Sequence, residues 1–335
     1  MLERTRVSFA ELGAACEICA TVRFLFVMDP AEIMTPDKDT TFAFMRGALA
    51  RGHECLHCLP REVSNEGRDV FARSRPVKVS ERAPHVTLGS DERVELARLD
   101  AVFIRKDPPF DAAYLYLTQQ LDLVKDRVFV MNDPRGLRDA NEKLFAFQFT
   151  EFMPRSLVSA ECAAIIEFVH TVGGTAVLKP LDGAGGSGVV VLTAGDRNVR
   201  SMVDMLTLEG KRLAMVQEYQ PAVREGDKRV LLLDGKPMGA ILRVPREDDV
   251  RANIHAGGQV RATDLTERER ALVTSVAPKL REYGLWFVGL DLIGEKLIEV
   301  NVTSPTGIQE LGRHLGARPE EDVIEWVEQR VLSAR

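Results

Sequence analysis

Two carboxylates and a carboxamide stand at spaced positions near the end of the chain, in FVGLDLIGEKLIEVNVTSPT, residues 287–306. The stretch reads as two apolar strands, 287–293 and 297–302, joined by a tight turn at Gly294. Side chains alternate faces along a strand, so Glu299 and Asn301 share one face while Ile298, Val300 and Val302 take the other. A three-residue turn, Gly294 to Lys296, sets Asp291 opposite Glu299 across the hairpin. Paired carboxylates in an apolar sheet repel and are poorly solvated. An oxygen-seeking cation is the simplest remedy, and magnesium bridging to a nucleotide suits so small a protein ligand set. The alternative is a set of ordinary polar residues on a solvated strand face. A two-residue turn favours that alternative, because it breaks the Asp291–Glu299 pairing.

A second candidate is Asp182-Gly183-Ala184-Gly185-Gly186-Ser187-Gly188, set between a strand at 176–179 and another at 189–192. The run formally matches G-x-G-x-x-G. A dinucleotide-binding fingerprint needs a helix after the glycines, and here a β-branched strand follows. The Lys-Ser/Thr ending of a P-loop is also missing. What remains is a hairpin loop of bare amides able to fold over a triphosphate. A plain turn is the bland reading, yet two residues suffice for one. Two C-x-x-C pairs, Cys16/Cys19 and Cys55/Cys58, lie near His53 and His57 and raise the question of zinc. The segment around Cys55 reads as a strand, which points Cys55 and Cys58 to opposite faces. Reduced thiols are the expectation.

The 335 residues suffice for two or three domains with real cores. No apolar run approaches the length of a membrane-spanning helix, and the N-terminus lacks a signal-peptide pattern. A net charge of −6 argues against a nucleic-acid partner. Residues 1–22 carry no strong periodicity and read as an extension, with Val22 standing where a start codon could be expected. From residue 23 the pattern alternates: a strand at 23–28, a helix through Leu49, a strand after Gly52, a buried strand at 101–105, a helix through Leu121 and a strand at 128–131. Residues 60–95 read as peripheral strands or loops. A boundary falls at 132–136, and a helix beginning near Asn141 carries Glu142 and Lys143. Further on come helices at 161–171 and 198–209, and a strand at 214–219 ending Gln217-Glu218-Tyr219. A hairpin opens at Asp227-Lys228-Arg229, turns at Asp234-Gly235 and ends at Arg243-Val244-Pro245. Residues 246–260 are polar and glycine-bearing, a candidate mobile lid. Helices at 267–283 and 319–332 complete the chain.

With these pieces in order, the chain resembles the prokaryotic glutathione synthetases of the ATP-grasp superfamily. The matching stretches are FLFVMDP (24–30), KDTTFAFM (38–45), RKDPPFD (105–111), NEKLFAF (141–147) and LKPLDGAGGSGV (178–189). They continue with GDKRVLLLDG (226–235), RANIHAGG (251–258) and FVGLDLIGEKLIEVNVTSPTGI (287–308). The resemblance implies an α/β and α+β protein: an ATP-grasp fold behind an N-terminal doubly wound (pre-ATP-grasp) domain. The implied division is an extension at 1–22, an α/β substrate domain at 23–140, a lid domain at 141–215 and a catalytic domain at 216–335.

The resemblance also implies residue roles. Lys143 and Lys179 match phosphate-contacting lysines, and Gly183, Gly185 and Gly186 fall in the phosphate-covering loop. Gln217, Glu218 and Tyr219 match the adenine linker and Asp227 the ribose contact. Asp291, Glu299 and Asn301 match the ligands of magnesium, with manganese as a substitute. Arg229 and Arg243 match arginines at the transferring phosphate, and Arg251, Asn253 and Ser304 match the substrate side. A strict two-residue turn at Asp234-Gly235 places Arg229 and Arg243 on opposite faces, so their convergence rests on the resemblance. The implied reaction joins γ-glutamylcysteine to glycine at the expense of ATP, through an acyl phosphate. The implied setting is cytoplasmic and homo-oligomeric, with neither nucleic acid nor membrane as a partner. Rival readings are a ligase for another acid and amine, a non-catalytic ATP binder on the same fold, and a zinc-dependent N-terminal module.

Overall fold

The computed structural model of the chain describes residues 21–183, 185–245 and 259–335. Most of the proposed extension, with Cys16 and Cys19, lies outside the described residues. So do Ala184 and the segment bearing Arg251, Asn253, Gly257 and Gly258.

The first sheet begins with β1 (Arg23–Met28), α1 (Thr40–Ala50) and β2 (Glu54–Cys58). Asp39 starts α1 by accepting a hydrogen bond from the Phe42 amide at 2.9 Å, which satisfies an otherwise orphaned donor. After β3 (Val63–Glu66), β4 (Asp69–Val79), β5 (Val86–Leu88) and β6 (Glu92–Glu95), the chain returns to the centre through β7 (Ala101–Arg105), α2 (Ala112–Asp122) and β8 (Phe129–Met131). The central order β2-β1-β7-β8 is all parallel. Alternation along β1 feeds two cores: Phe24 and Phe26 pack with Phe42 and Phe44 of α1, while Leu25 and Val27 pack with Leu117 and Leu121 of α2. Helices on both faces make this part doubly wound. Residues 60–95 form strands, as the scattered valines suggested. Their long member, β4, pairs antiparallel with β2 and makes the sheet mixed.

A short α3 (Pro134–Asp139) follows. The helix expected from Asn141 is instead a turn, in which Asn141 Oδ1 accepts from the Lys143 and Leu144 amides, leading into a 3-10 helix at Phe145–Phe152. An asparagine that bonds the backbone ahead of it favours a turn over a continuing helix. The second sheet contains β9 (Ser156–Ser159), β10 (Thr175–Pro180), β11 (Val190–Thr193) and β12 (Ala214–Glu218), in antiparallel order β11-β10-β12-β9. Its helices, α4 (Cys162–Thr171) and α5 (Val199–Thr207), cover one face through Ile165, Val169 and Val203.

The third sheet joins β13 (Asp227–Leu233), β14 (Lys236–Val244), β15 (Gln259–Thr263), β16 (Phe287–Ile293) and β17 (Lys296–Asn301) in antiparallel order β15-β14-β13-β16-β17. α6 (Glu267–Glu282) precedes β16, and α7 (Ile308–Leu315) and α8 (Pro319–Leu332) close the chain, α8 against α1. Both hairpin turns are two residues long. Gly294 and Glu295 have φ of 54° and 64°, and Asp234 and Gly235 have 51° and 68°, the paired positive values of the turn that suits twisted strands. The three-residue turn expected at Gly294 is therefore corrected. The pairing it was needed for survives, because a bulge at Ile298 shifts the register and puts Glu299 opposite Asp291. A second bulge, at Met238, sets Arg243 opposite Asp227 and Ile241 opposite Arg229. Arg229 is itself opposite Asp291. The bulges thus gather Asp227, Arg229, Arg243, Asp291 and Glu299 on one face. Among the described residues no helix is long and apolar enough to cross a membrane.

Candidate active site

A cavity of about 910 Å³ opens between the second and third sheets and extends to the ends of β1 and β7. All the sequence-predicted site residues that are described line it: Lys143, Lys179, Gly183, Gly185 and Gly186; Gln217, Glu218, Tyr219 and Asp227; Arg229, Arg243, Asp291, Glu299, Asn301 and Ser304. Arg251 and Asn253 lie outside the described residues.

The second sheet supplies the roof. β10 and β11 are antiparallel, so the glycine run is a hairpin loop and no helix follows it. Gly185 and Gly186 have φ of 61° and 80°, where a side chain is strained. Gly183 answers to space instead, since a Cβ there would meet the Pro180 ring at 2.7 Å and the Ser187 carbonyl at 2.9 Å. Lys143 Nζ donates to the Gly183 carbonyl at 2.8 Å, tying the turn at Asn141 to this loop. Lys179, the penultimate residue of β10, donates to Gln217 Oε1 on β12 at 3.2 Å. Burial pulls the Lys179 ammonium below its usual range, against the opposing pull of Glu299.

The third sheet supplies the floor. Asp291 receives Arg229 through both carboxylate oxygens, Nε–Oδ1 at 2.5 Å and Nη2–Oδ2 at 2.8 Å, and Arg243 Nη2 lies 3.0 Å from Oδ2. Burial alone would raise the Asp291 carboxyl, but the two guanidiniums outweigh it and hold it well below the usual carboxylate range. Arg243 also reaches Asp227 Oδ2 at 2.5 Å. Asp227 responds the other way. Burial and repulsion from Asp291 overcome Arg243 and push its carboxyl up to about 6. Glu299 faces the roof, with Lys143 at 3.5 Å and Lys179 at 3.7 Å. Asn301 gives its Nδ2 to the Gly289 carbonyl at 3.2 Å, and among the described residues its Oδ1 has no hydrogen-bond donor.

Three oxygen-bearing side chains therefore stand on facing strands, two of them carboxylates. Hard oxygen donors in this number suit magnesium when phosphates and water complete its octahedron. Glu299 and Asn301 line the cavity, while the Asp291 oxygens already receive Arg229 and Arg243 and would be shared with the ion; with that sharing the donor set fits. Among the described residues no cluster of three histidine, cysteine or carboxylate groups suggests another metal. Cys55 and Cys58 enter the two different cores of the first sheet, where burial pushes both thiols up, so the described pair makes no zinc site.

Sequence reasoning passed over three features of the cavity wall. Glu142, beside Lys143, accepts a 2.8 Å bond from Thr303, and burial followed by repulsion from Glu299 raises its carboxyl above the usual range. Arg105 lies inside a quoted motif but drew no role. Thr41 bonds to Arg105. A charged residue ending an apolar strand, as Arg105 ends AVFIR, is the one signal that could have flagged Arg105, and nothing comparable marks Thr41 on α1.

Comparison with known proteins supplies independent findings. The family model for the prokaryotic glutathione synthetase N-terminal domain matches residues 22–138, and that for the ATP-grasp domain of the same family matches residues 142–316. A glutathione synthetase from Thermosynechococcus vestitus is 44% identical over 90% of this chain and 98% of its own length. One from Agrobacterium fabrum is 41% identical over 83% of this chain and 88% of its own. Among solved structures, D-cycloserine synthetase DcsG superposes with a TM-score of 0.63 at 16% identity, covering 91% of this chain and 99% of its own. The ATP-grasp ligase PsnB does so at 0.60 and 16%, covering 92% and 98%. At such low identity these two structures show a shared ATP-grasp fold.

Proposed function

The chain belongs to the prokaryotic glutathione synthetases, and from that membership we infer how its cavity joins γ-glutamylcysteine to glycine. The reaction consumes ATP and releases ADP and phosphate. A carboxylate is a poor electrophile, so the cysteinyl carboxylate first takes the γ-phosphoryl group; glycine's amine then attacks the acyl phosphate and expels phosphate. The enzyme's task is to bring two anions together and to stabilise charge on the moving phosphoryl group.

The observation that carries the residue assignment is the convergence of roof and floor on one space. Lys143 and Lys179 stand across from Arg229 and Arg243, with acidic groups between them. In this reading the lysines and the 183–188 loop take the phosphates, Gln217 to Tyr219 hold adenine and Asp227 the ribose. Arg229 and Arg243 hold the reacting carboxylate and the transferring phosphate through forked hydrogen bonds. Asp291, Glu299 and Asn301 would hold magnesium, or manganese in its place, which would offset phosphate charge. Ser304 belongs to the substrate wall, and Arg251 and Asn253, which lie outside the described residues, are assigned to the substrate side by family membership alone. Cytoplasmic residence and a homo-oligomeric assembly complete the reading.

ADP release by purified protein with magnesium-ATP and γ-glutamylcysteine, with and without glycine, tests it. Glycine-dependent release with a tripeptide of glutathione's mass is expected. Turnover only with another acid or amine would move the substrate assignment, and tight ATP binding without turnover would favour a non-catalytic role.

A further inference from the structure

Asn141, Glu142 and Lys143 are consecutive, yet they bond to two different sides of the cavity. Asn141 Nδ2 donates to the Leu181 carbonyl at 3.2 Å and Lys143 Nζ to the Gly183 carbonyl at 2.8 Å, so the outer two hold the base of the glycine loop in the roof. Glu142 turns the other way. Its carbonyl accepts from the Val300 amide at 2.9 Å, and its Oε1 accepts from Thr303 Oγ1 at 2.8 Å. Val300 stands between Glu299 and Asn301 on β17, an edge strand of the third sheet, whose outer amides have no strand partner. Thr303 follows that strand and is buried. Three residues thus tie the roof loop to the floor strand that carries Glu299 and Asn301.

The Glu142 side chain stands in poor surroundings for a charge. Burial, and then repulsion from Glu299, raise its carboxyl above the usual range. Among the described residues the one hydrogen bond its side chain receives comes from the neutral Thr303 hydroxyl. Perturbed carboxyls of this kind gather at working sites. The neighbour supplies the work. A lysine reaches its target on a flexible four-carbon stem, so its ammonium is only as well placed as its backbone. The Asn141 side chain shapes the turn that presents Lys143, and Glu142 pins that turn to β17. Lys143 Nζ lies 3.5 Å from Glu299 Oε1. The same anchor therefore sets the spacing between the phosphate lysine and a metal-side carboxylate.

We propose that Glu142 is a positioning residue for phosphoryl transfer: by gripping Thr303 and Val300 it fixes Lys143 against Glu299, so that the ammonium and the metal ligands meet one phosphate together. The assignment rests on the ligase reading above. Glu142 acts through Lys143 and touches neither nucleotide nor peptide. Nucleotide phosphate would draw the ammonium from the Gly183 carbonyl, while the anchor keeps the lysine backbone where it is. Phe145 and Phe149 of the following 3-10 helix pack in the same core as Val300, so the fold does not hang on Glu142.

The test is a set of variants assayed for glutathione formation with magnesium-ATP, γ-glutamylcysteine and glycine. Glu142→Ala removes the anchor. Glu142→Gln keeps an oxygen that accepts from Thr303 and removes the charge. Thr303→Val removes the donor. The Ala variant is expected to lose roughly 10- to 100-fold in kcat, the scale of a small misplacement, with KM for glycine unchanged. The Gln variant should recover most of that loss, and Thr303→Val should reproduce part of it. Lys143→Met, alone and combined with Glu142→Ala, completes a double-mutant cycle. In the Lys143→Met background the Ala change should cost no more than about twofold, because both changes act through one ammonium. Losses that multiply would overturn the proposal by showing that Glu142 works independently of Lys143. A Gln variant as impaired as the Ala variant would overturn it by requiring the charge itself, as a direct ligand of the metal or of glycine's ammonium does. Should the Ala variant fail to fold, Thr303→Val with Lys143→Met carries the same cycle. If wild type itself makes no glutathione, the underlying ligase reading fails; if it does and the losses multiply, only the Glu142 assignment fails.

Discussion

At the scale of single residues, the cavity is a balance of charges among buried side chains. Glu299 is the floor carboxylate that faces the roof lysines, both of which approach its Oε1. Glu299→Gln keeps the volume and removes the charge. It should cut magnesium-dependent turnover by about 100-fold or more, roughly 3 kcal/mol of transition-state stabilisation, with the thermal unfolding temperature little changed. Full activity would mean that the metal site lies elsewhere. Asp227 gives a pH signature. Its carboxyl is raised from 3.8 to about 6 in the folded protein, so the folded state holds its proton more tightly than the unfolded state. Its contribution to stability is present below the ordinary carboxylate range and lost as pH rises through about 6. Relative to Asp227→Asn, the wild type without nucleotide should therefore lose stability across that interval, as measured by denaturant unfolding at successive pH values. A parallel dependence in both proteins would contradict it. Much of this chemistry was legible in the residues. Two carboxylates among apolar residues announce themselves by type, although their pairing depends on a bulge that spacing does not show. Arg105 carries only a weak signal, a charge at the end of an apolar strand, and nothing in a sequence shows that such a cation will be buried.

At the scale of elements, two hairpins carry the site, and each hides a bulge. Spacing alone puts Arg243 on the wrong face for a two-residue turn and Glu299 on the wrong face for its partner. The extra residues, Met238 and Ile298, restore both. Turn residues are readable from type, as Asp234-Gly235 shows, but a bulge is set by how a strand must twist against its neighbours, which pattern does not record. The same limit explains the turn at Asn141, where a side chain bonding ahead to the backbone wins over helix propensity. Asn132 shows how the first sheet positions the third. Its Nδ2 donates to the Phe287 and Val302 carbonyls at 2.9 and 2.8 Å, and its Oδ1 accepts from the Trp286 and Phe287 amides at 2.8 and 2.9 Å. Asn132→Ala would leave four buried backbone groups short of a partner. A cost of about 3 kcal/mol or more is expected, read by denaturant unfolding. A change below about 0.5 kcal/mol would mean that water replaces the side chain.

At the scale of the whole molecule, three sheets meet around one space, and the alternating pattern of the first 130 residues announced only one of them. The doubly wound part followed from strand and helix periodicity. Of the two antiparallel sheets the residues showed only hairpins, at the glycine loop, at Asp234-Gly235 and at Gly294, and the rest stood behind the ATP-grasp fold that the resemblance implied. The sheets bring together groups far apart in the chain: Arg105 with Pro305, Lys143 with Gly183, Glu142 with Thr303. Such an arrangement suits a reaction in which no side chain becomes covalently attached and alignment supplies most of the catalysis. Activation of the cysteinyl carboxylate as an acyl phosphate is tested most directly by following oxygen. γ-Glutamylcysteine carrying a heavy-oxygen label in its cysteinyl carboxylate is turned over with magnesium-ATP and glycine, and the released phosphate is weighed by mass spectrometry. Activation as an acyl phosphate predicts one labelled oxygen in each phosphate formed. Unlabelled phosphate, with the displaced carboxylate oxygen released as labelled water, would contradict the account.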